Sequence, residues 1–147
     1  MAPFCEQRGI TLLTYGTVLG GLLSERYLGR PEPRRAELNT ASLQKYKQMI
    51  DVWGGWDLFQ RLLAVLKLIA DKHRVSIANV GVRYVLDRPA VAGVIIGTRL
   101  GLSNHIEDNL RTFSFALDAE DDERIEVVLA KSCDLMSGIG DCGDEYR

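Results

Sequence analysis

Val94-Ile95-Ile96-Gly97-Thr98-Arg99-Leu100-Gly101-Leu102-Ser103-Asn104-His105-Ile106-Glu107-Asp108-Asn109 is the stretch from which the fold is read. A β-branched apolar run ends in a turn carrying two glycines, an arginine and a serine, and a polar helix start follows. A strand that stops beside a cation and the exposed amides of a helix makes a place where an anion can rest. Many βα junctions bind nothing, so this reading depends on what the other segments supply.

A second junction of the same kind lies upstream. Ile10 to Tyr15 is short, rich in β-branched and aromatic residues and bounded by Gly9 and Gly16, which predicts a buried strand. It runs into Gly16-Thr17-Val18-Leu19-Gly20-Gly21, whose glycines would let backbone amides approach a ligand closely. The loop is neither a Walker A motif nor GxGxxG, and a plain flexible turn remains the alternative.

Between the two junctions the pattern is helical. Phe4 to Arg8 reads as a helix end closed by Gly9. Leu22 to Leu28 is amphipathic, and Arg26, Arg30, Arg34 and Arg35 straddle Pro31 and Pro33 in a segment too proline-rich for regular structure. Leu43, Tyr46, Lys47 and Ile50 mark a helix from Asn39 or Thr40 to Gly54-Gly55. Leu58, Leu62, Val65, Leu66 and Ile69 mark the next, from about Asp57 to His73, with Asp57 as a cap and His73 as a surface residue favoured by the helix dipole. Ser76 opens a third, in which Gly81 signals close packing and Pro89 forces the end.

Val91 to Ile96 is then a strand of the near-continuous apolar kind that is covered on both faces. Asn104 to Phe113 and Asp118 to Lys131 are predicted helices. The acids Asp118, Glu120, Asp121, Asp122 and Glu123 suit a helix N-terminus, and with no His or Cys beside them they read as capping rather than as a metal site. Residues 135–147 read as a flexible tail behind a body formed by residues 1–134.

Composition narrows the function. The chain has 147 residues, 46% of them hydrophobic and 26% charged, with a net charge of -2. One domain is the default, and no large positive field is present to hold nucleic acid or an anionic membrane surface. No window provides the roughly 18 apolar residues of a membrane span. Met1 to Ile10 carries Glu6 and Arg8 where a signal peptide needs an apolar core, so the expected location is the cytoplasm. Cys5, Cys133 and Cys142 match no metal or haem spacing and read as reduced thiols.

Two strands separated by helices pair most simply in parallel, as in βα units, and both glycine-bearing loops then lie beyond the carboxyl ends of the strands. They could clasp one phosphorylated ligand together. Two parallel strands leave free edges and an uncovered apolar face, however, and a complete (β/α)8 barrel takes about 250 residues. The fold class expected is α/β, mostly helical by content: a partial (β/α)8 barrel holding the last two βα units and additional helices.

Leu13 to Gly29, taken with Val94 to Arg99 and Glu107-Asp108-Asn109, resembles the C-terminal part of an aldo-keto reductase. The resemblance covers about Phe4 to Ala130. It implies a barrel enzyme that uses NADPH to reduce aldehydes and ketones, with this chain supplying strands seven and eight. The family's loop after strand seven commonly reads Tyr-Ser-Pro-Leu and then Gly, and its backbone holds the cofactor pyrophosphate. Tyr15, Gly16, Thr17, Val18 and Gly21 stand at those positions here, so the serine hydroxyl is missing. The resemblance likewise places Arg99, His105, Asp108 and Asn109 around the adenosine 2'-phosphate and adenine, with Gly97, Thr98 and Ser103 on the same turn. A guanidinium grips phosphate bidentately, which singles out Arg99.

The family's Asp, Tyr, Lys and His catalytic groups belong to its first four strands, so no catalytic residue is assigned here, and Tyr15, Tyr27, Tyr46, Tyr84 and His73 are not drafted into those roles. Two readings stand. One is the cofactor-binding C-terminal portion of an NADP-dependent oxidoreductase, truncated or completed by another polypeptide. The other is a non-catalytic nucleotide-binding or partner-binding module, including one that self-associates through its open sheet edge.

Overall fold

A computed structural model of the protein describes residues 2–98, 101, 102 and 104–135. Its elements follow in the order α1 (Ala2–Arg8), β1 (Leu12–Tyr15), α2 (Ala41–Trp53), α3 (Gly55–His73), α4 (Ile77–Leu86), β2 (Val91–Ile95), α5 (Ile106–Leu110) and α6 (Ala119–Leu129), with short 3-10 turns at Leu19–Gly21, Arg35–Glu37 and Arg111–Phe113. Arg99 and Ser103, and the expected tail from residue 136 onward, lie outside the described residues.

β1 and β2 pair in parallel, with Leu13 opposite Gly93, Thr14 opposite Val94 and Tyr15 opposite Ile95. The 75 residues between the two strands hold α2, α3 and α4, as a parallel crossover requires. One face of the sheet is covered by helices, α4 packing against β2. The other is bare, with Leu13 68%, Tyr15 61% and Ile95 56% exposed. The strand reading thus holds for the pairing, while the expected cover on both faces is present on one face only.

The core lies among the helices. Leu63, Phe59, Leu66 and Ile69 of α3 are buried against Ile77 and Val80 of α4, Ile50 of α2 and Ile125 of α6. Helix starts follow the sequence. Thr40 Oγ1 accepts the Leu43 amide, and Ser76 and Asn79 close a reciprocal capping box, as do Asp118 and Asp121. At α3 the cap is Gly54, and Asp57 sits in the first turn, where its charge still favours the dipole. α3 ends on Arg74 in the left-handed region, φ 59° and ψ 42°. A side chain there is strained, so Arg74→Gly is expected to raise stability by about 0.5–1 kcal/mol in urea unfolding.

Leu22 to Leu28 does not form a regular element. The Ser24, Tyr27 and Leu28 amides bond two or three residues back while α3 draws the segment onto itself: Gln60 bonds both Tyr27 O (2.9 Å) and the Gly29 amide (2.7 Å), and Trp56 Nε1 donates to Arg30 O (2.9 Å). Lys47, placed on the inner face of α2, is buried and meets Glu32 and Asp51 at 2.5 Å each. Burial pushes its pKa down, but the hydrogen bonds its ammonium donates to Asp51 and Glu32 outweigh this and hold the pKa above the usual lysine value. His73 departs from the surface reading: Nε2 lies 2.7 Å from the buried Asp121 Oδ2, and the ring packs on Phe115 at 5.0 Å. No described helix is long and apolar enough to cross a membrane.

Candidate functional site

The parallel register places the residues after Tyr15 and after Ile95 side by side at one end of the sheet. Both glycine-bearing loops therefore start from the same edge, as the βα reading requires.

The first loop is built by its own backbone. Leu19 N donates to Gly16 O (2.8 Å), Gly21 N and Leu23 N to Val18 O (2.9 and 3.3 Å), and Leu22 N to Leu19 O (3.2 Å). Two amides of the loop itself, and those of Leu22 and Leu23 just after it, are thus consumed in holding the turn, which leaves fewer for a ligand than the glycine count suggests. Gly16, at φ 78°, faces α2: a Cβ there would lie 2.3 Å from the Tyr46 hydroxyl. Its glycine serves helix packing, whereas a Cβ at Gly21, φ 101°, would meet nothing within 4 Å, so the loop's open flank is there. Val18 is half-buried. Thr17 Oγ1 is buried with no hydrogen-bond partner and is turned away from solvent.

On the second loop Gly97 and Thr98 are exposed, and Gly97 also leaves its backbone open to close approach. Arg99 and Ser103, the cation and hydroxyl of the sequence reading, lie outside the described residues. The helix that follows is shorter than the predicted Asn104 to Phe113: α5 spans five residues and passes into the 3-10 turn Arg111–Phe113. Its Ile106 amide is taken by Asn104 Oδ1 at 3.0 Å, so a dipole contribution to anion binding is small. His105 is exposed at the start of α5 and its carbonyl accepts the Asn109 amide (2.8 Å).

Asp108 is engaged within the fold. Its Oδ2 accepts from Ser76 Oγ at 2.9 Å and its carbonyl accepts from Asn79 Nδ2 at 2.9 Å. Asn79, 1% exposed, also reaches Thr112 Oγ1 at 3.4 Å. A buried amide with three polar partners pins α5 to the N-terminus of α4 and fixes where the second loop returns. Asn79 and Thr112 were not singled out in the sequence. The signal for Asn79 was its place three residues after the cap Ser76.

These groups set two glycine-bearing turns at the carboxyl ends of adjacent parallel strands, on a helix-rich α/β framework. The sequence matches the model of the Aldo/keto reductase family over residues 1–130, and the chain belongs to that family. Among relatives, the Flagellar radial spoke protein 5 of Chlamydomonas reinhardtii is 41% identical over 85 residues, covering 56% of this chain and 16% of that protein. Among solved structures, the glycerol dehydrogenase of Gluconobacter oxydans superposes on 99% of this chain with a TM-score of 0.64 at 17% identity. That match covers 40% of the dehydrogenase, so the chain spans well under half of either protein.

Proposed function

We propose that this chain is the cofactor-holding C-terminal portion of an NADP-dependent aldo-keto reductase, the last two βα units of a (β/α)8 barrel, and that it does not turn over a carbonyl substrate alone. The observation that carries the reading is the register Tyr15 opposite Ile95, which brings the Gly16–Gly21 loop and the Gly97–Asn109 turn to one edge. In this reading the pyrophosphate passes Gly21 and the backbone of Gly16, Thr17 and Val18. Gly97, Thr98, Arg99 and Ser103 meet the adenosine 2'-phosphate. His105 adds a weak second donor, and Asp108 and Asn109 face the adenine side, Asp108 by positioning α5.

Bound nicotinamide would supply hydride to a carbonyl. The residues of this chain fix the far end of that cofactor, where oriented binding converts affinity into reach at the reacting carbon. The tyrosine that gives the proton would come from βα units on another polypeptide segment, laid against Leu13, Tyr15 and Ile95. A cytosolic setting, which keeps Cys5 and Cys133 reduced, belongs to the same reading.

Titration of NADPH and NADH against the chain and its Arg99→Ala variant tests the proposal. The expected result is tighter NADPH than NADH binding, with the preference reduced about tenfold or more in the variant, the loss of one charge-assisted phosphate contact. Identical curves for both cofactors and both proteins would remove Arg99 and the 2'-phosphate from the site. A second reading, a non-catalytic partner-binding module, draws on the bare face at Leu13, Tyr15 and Ile95 and on the similarity to the radial spoke protein. It predicts self-association or partner capture with no nucleotide affinity.

A further inference from the structure

α5 is built inside out. Its polar side faces the fold: Asp108 Oδ2 accepts from Ser76 Oγ, and on the turn that follows the buried Thr112 Oγ1 accepts from Asn79 Nδ2. Its apolar side faces solvent. Ile106, Leu110 and Phe113, at helical spacing across α5 and the 3-10 turn, are between 57% and 71% exposed, and Leu102 on the turn before is exposed as well. A surface helix ordinarily buries such a stripe and turns its charges out. Here the polar contacts to α4 hold the helix, so the fold has no use for the stripe, and contiguous exposed apolar groups of this kind mark an interaction surface.

The charges beside the stripe say what covers it. Glu107 and Arg111 stand one turn apart on the same flank, both are exposed, and among the described residues neither side chain has an ion-pair partner. In an antiparallel helix pair related by a twofold axis, the same flank of each helix meets, and residues equidistant from the axis exchange places. With the axis level with Asn109, Glu107 faces Arg111 of the partner subunit, and the same contact recurs on the other side of the axis. An acid and a base so placed complement their own copy, while the apolar stripes close between them.

We propose that α5 is a self-association surface, through which two copies of this chain pair antiparallel as a weak twofold dimer. The seam is short and belongs to the size class of transient contacts, so its dissociation constant is expected on the order of 0.1 mM. The inference is independent of the cofactor reading and uses a face other than the bare sheet at Leu13, Tyr15 and Ile95.

The test is sedimentation equilibrium of the full chain across that concentration, with Leu110→Lys, Glu107→Arg, Arg111→Glu and the chain carrying both reversals. The wild type is expected to be a mixture of monomer and dimer. Leu110→Lys, at an exposed position, is expected to abolish the dimer and keep the wild-type urea midpoint. Each single reversal sets like charges face to face and is expected to weaken the dimer about tenfold. Mixing the two single variants, or combining both reversals in one chain, brings opposite charges together again and is expected to recover wild-type association. A wild-type chain that stays monomeric up to about 1 mM would overturn the proposal. A dimer indifferent to Leu110→Lys would place association on another face and overturn it equally. Charge variants that fail to rescue each other would overturn the antiparallel pairing.

Discussion

Phe59→Ala is expected to cost about 3–5 kcal/mol in urea unfolding, because a large ring is removed from a site whose neighbours cannot close in. Phe59 is 1% exposed, and its ring packs against Trp56 at 5.3 Å with a 47° tilt. Trp56 in turn holds the Arg30 carbonyl and meets Tyr27 edge-on at 6.2 Å. One truncation therefore loosens α3 and the irregular segment after β1 together. Domains of this size have about 5–15 kcal/mol in total, and a two-stranded sheet with a bare face belongs at the lower end. The variant should be largely unfolded at modest denaturant, whereas Leu68→Ala, on the same helix but 59% exposed, should shift the midpoint little. Equal shifts for the two variants would mean that α3 is not packed as described.

Asp121→Asn is expected to cost about 2–3 kcal/mol and to change how stability depends on acid. Asp121 is 2% exposed and closes the capping box of α6 while accepting from His73 and Lys72 at the end of α3. Burial pushes its carboxyl up, but hydrogen bonds from His73, Lys72 and the Asp118 amide outweigh this and hold it below the usual value of 3.8. Asp118 is held below the same value by Lys72 first and by the Asp121 amide next. Both carboxyls bind protons more weakly when folded than when unfolded. Their contribution is thus complete above the unfolded value and is lost as pH falls from about 4 through the lower folded values. The wild type should lose stability steeply across that interval, and Asp121→Asn should start lower and fall less. Denaturant midpoints measured between pH 2 and 7 would show this, and parallel pH profiles would contradict it.

Much of the fold could be read along the chain because its signals are local. Thr40, Ser76 and Asp118 each set a helix start by bonding an amide three residues on, and Pro89 marks an end that its ring imposes. The strands were legible from β-branched runs beside glycines, and their parallel pairing from the helices between them. Gly81 was read as a packing glycine, and Leu23 does press on it.

What failed locally failed to competition from distant residues. Leu22 to Leu28 has helical apolar spacing, yet Gln60 takes the Tyr27 carbonyl and Trp56 that of Arg30 just beyond, each from more than 25 residues away. The helix after the second loop stops early because Asp108 and Thr112 are drawn onto Asn79. His73 suited a helix end, but only the placement of α6 makes it a hydrogen-bond partner of Asp121.

For the site, the sequence by itself determined the residue types and their order: glycine turns after two strands, a guanidinium, and a polar helix start. Only the tertiary structure decided which of them are free to act. It set Gly16 against Tyr46, spent the Leu19 and Gly21 amides on the turn, turned Thr17 inward and tied Asp108 to Ser76. The reason is physical. Propensity and capping act over one helical turn, whereas the partner of a hydroxyl or carboxylate is chosen by packing between elements far apart in the chain.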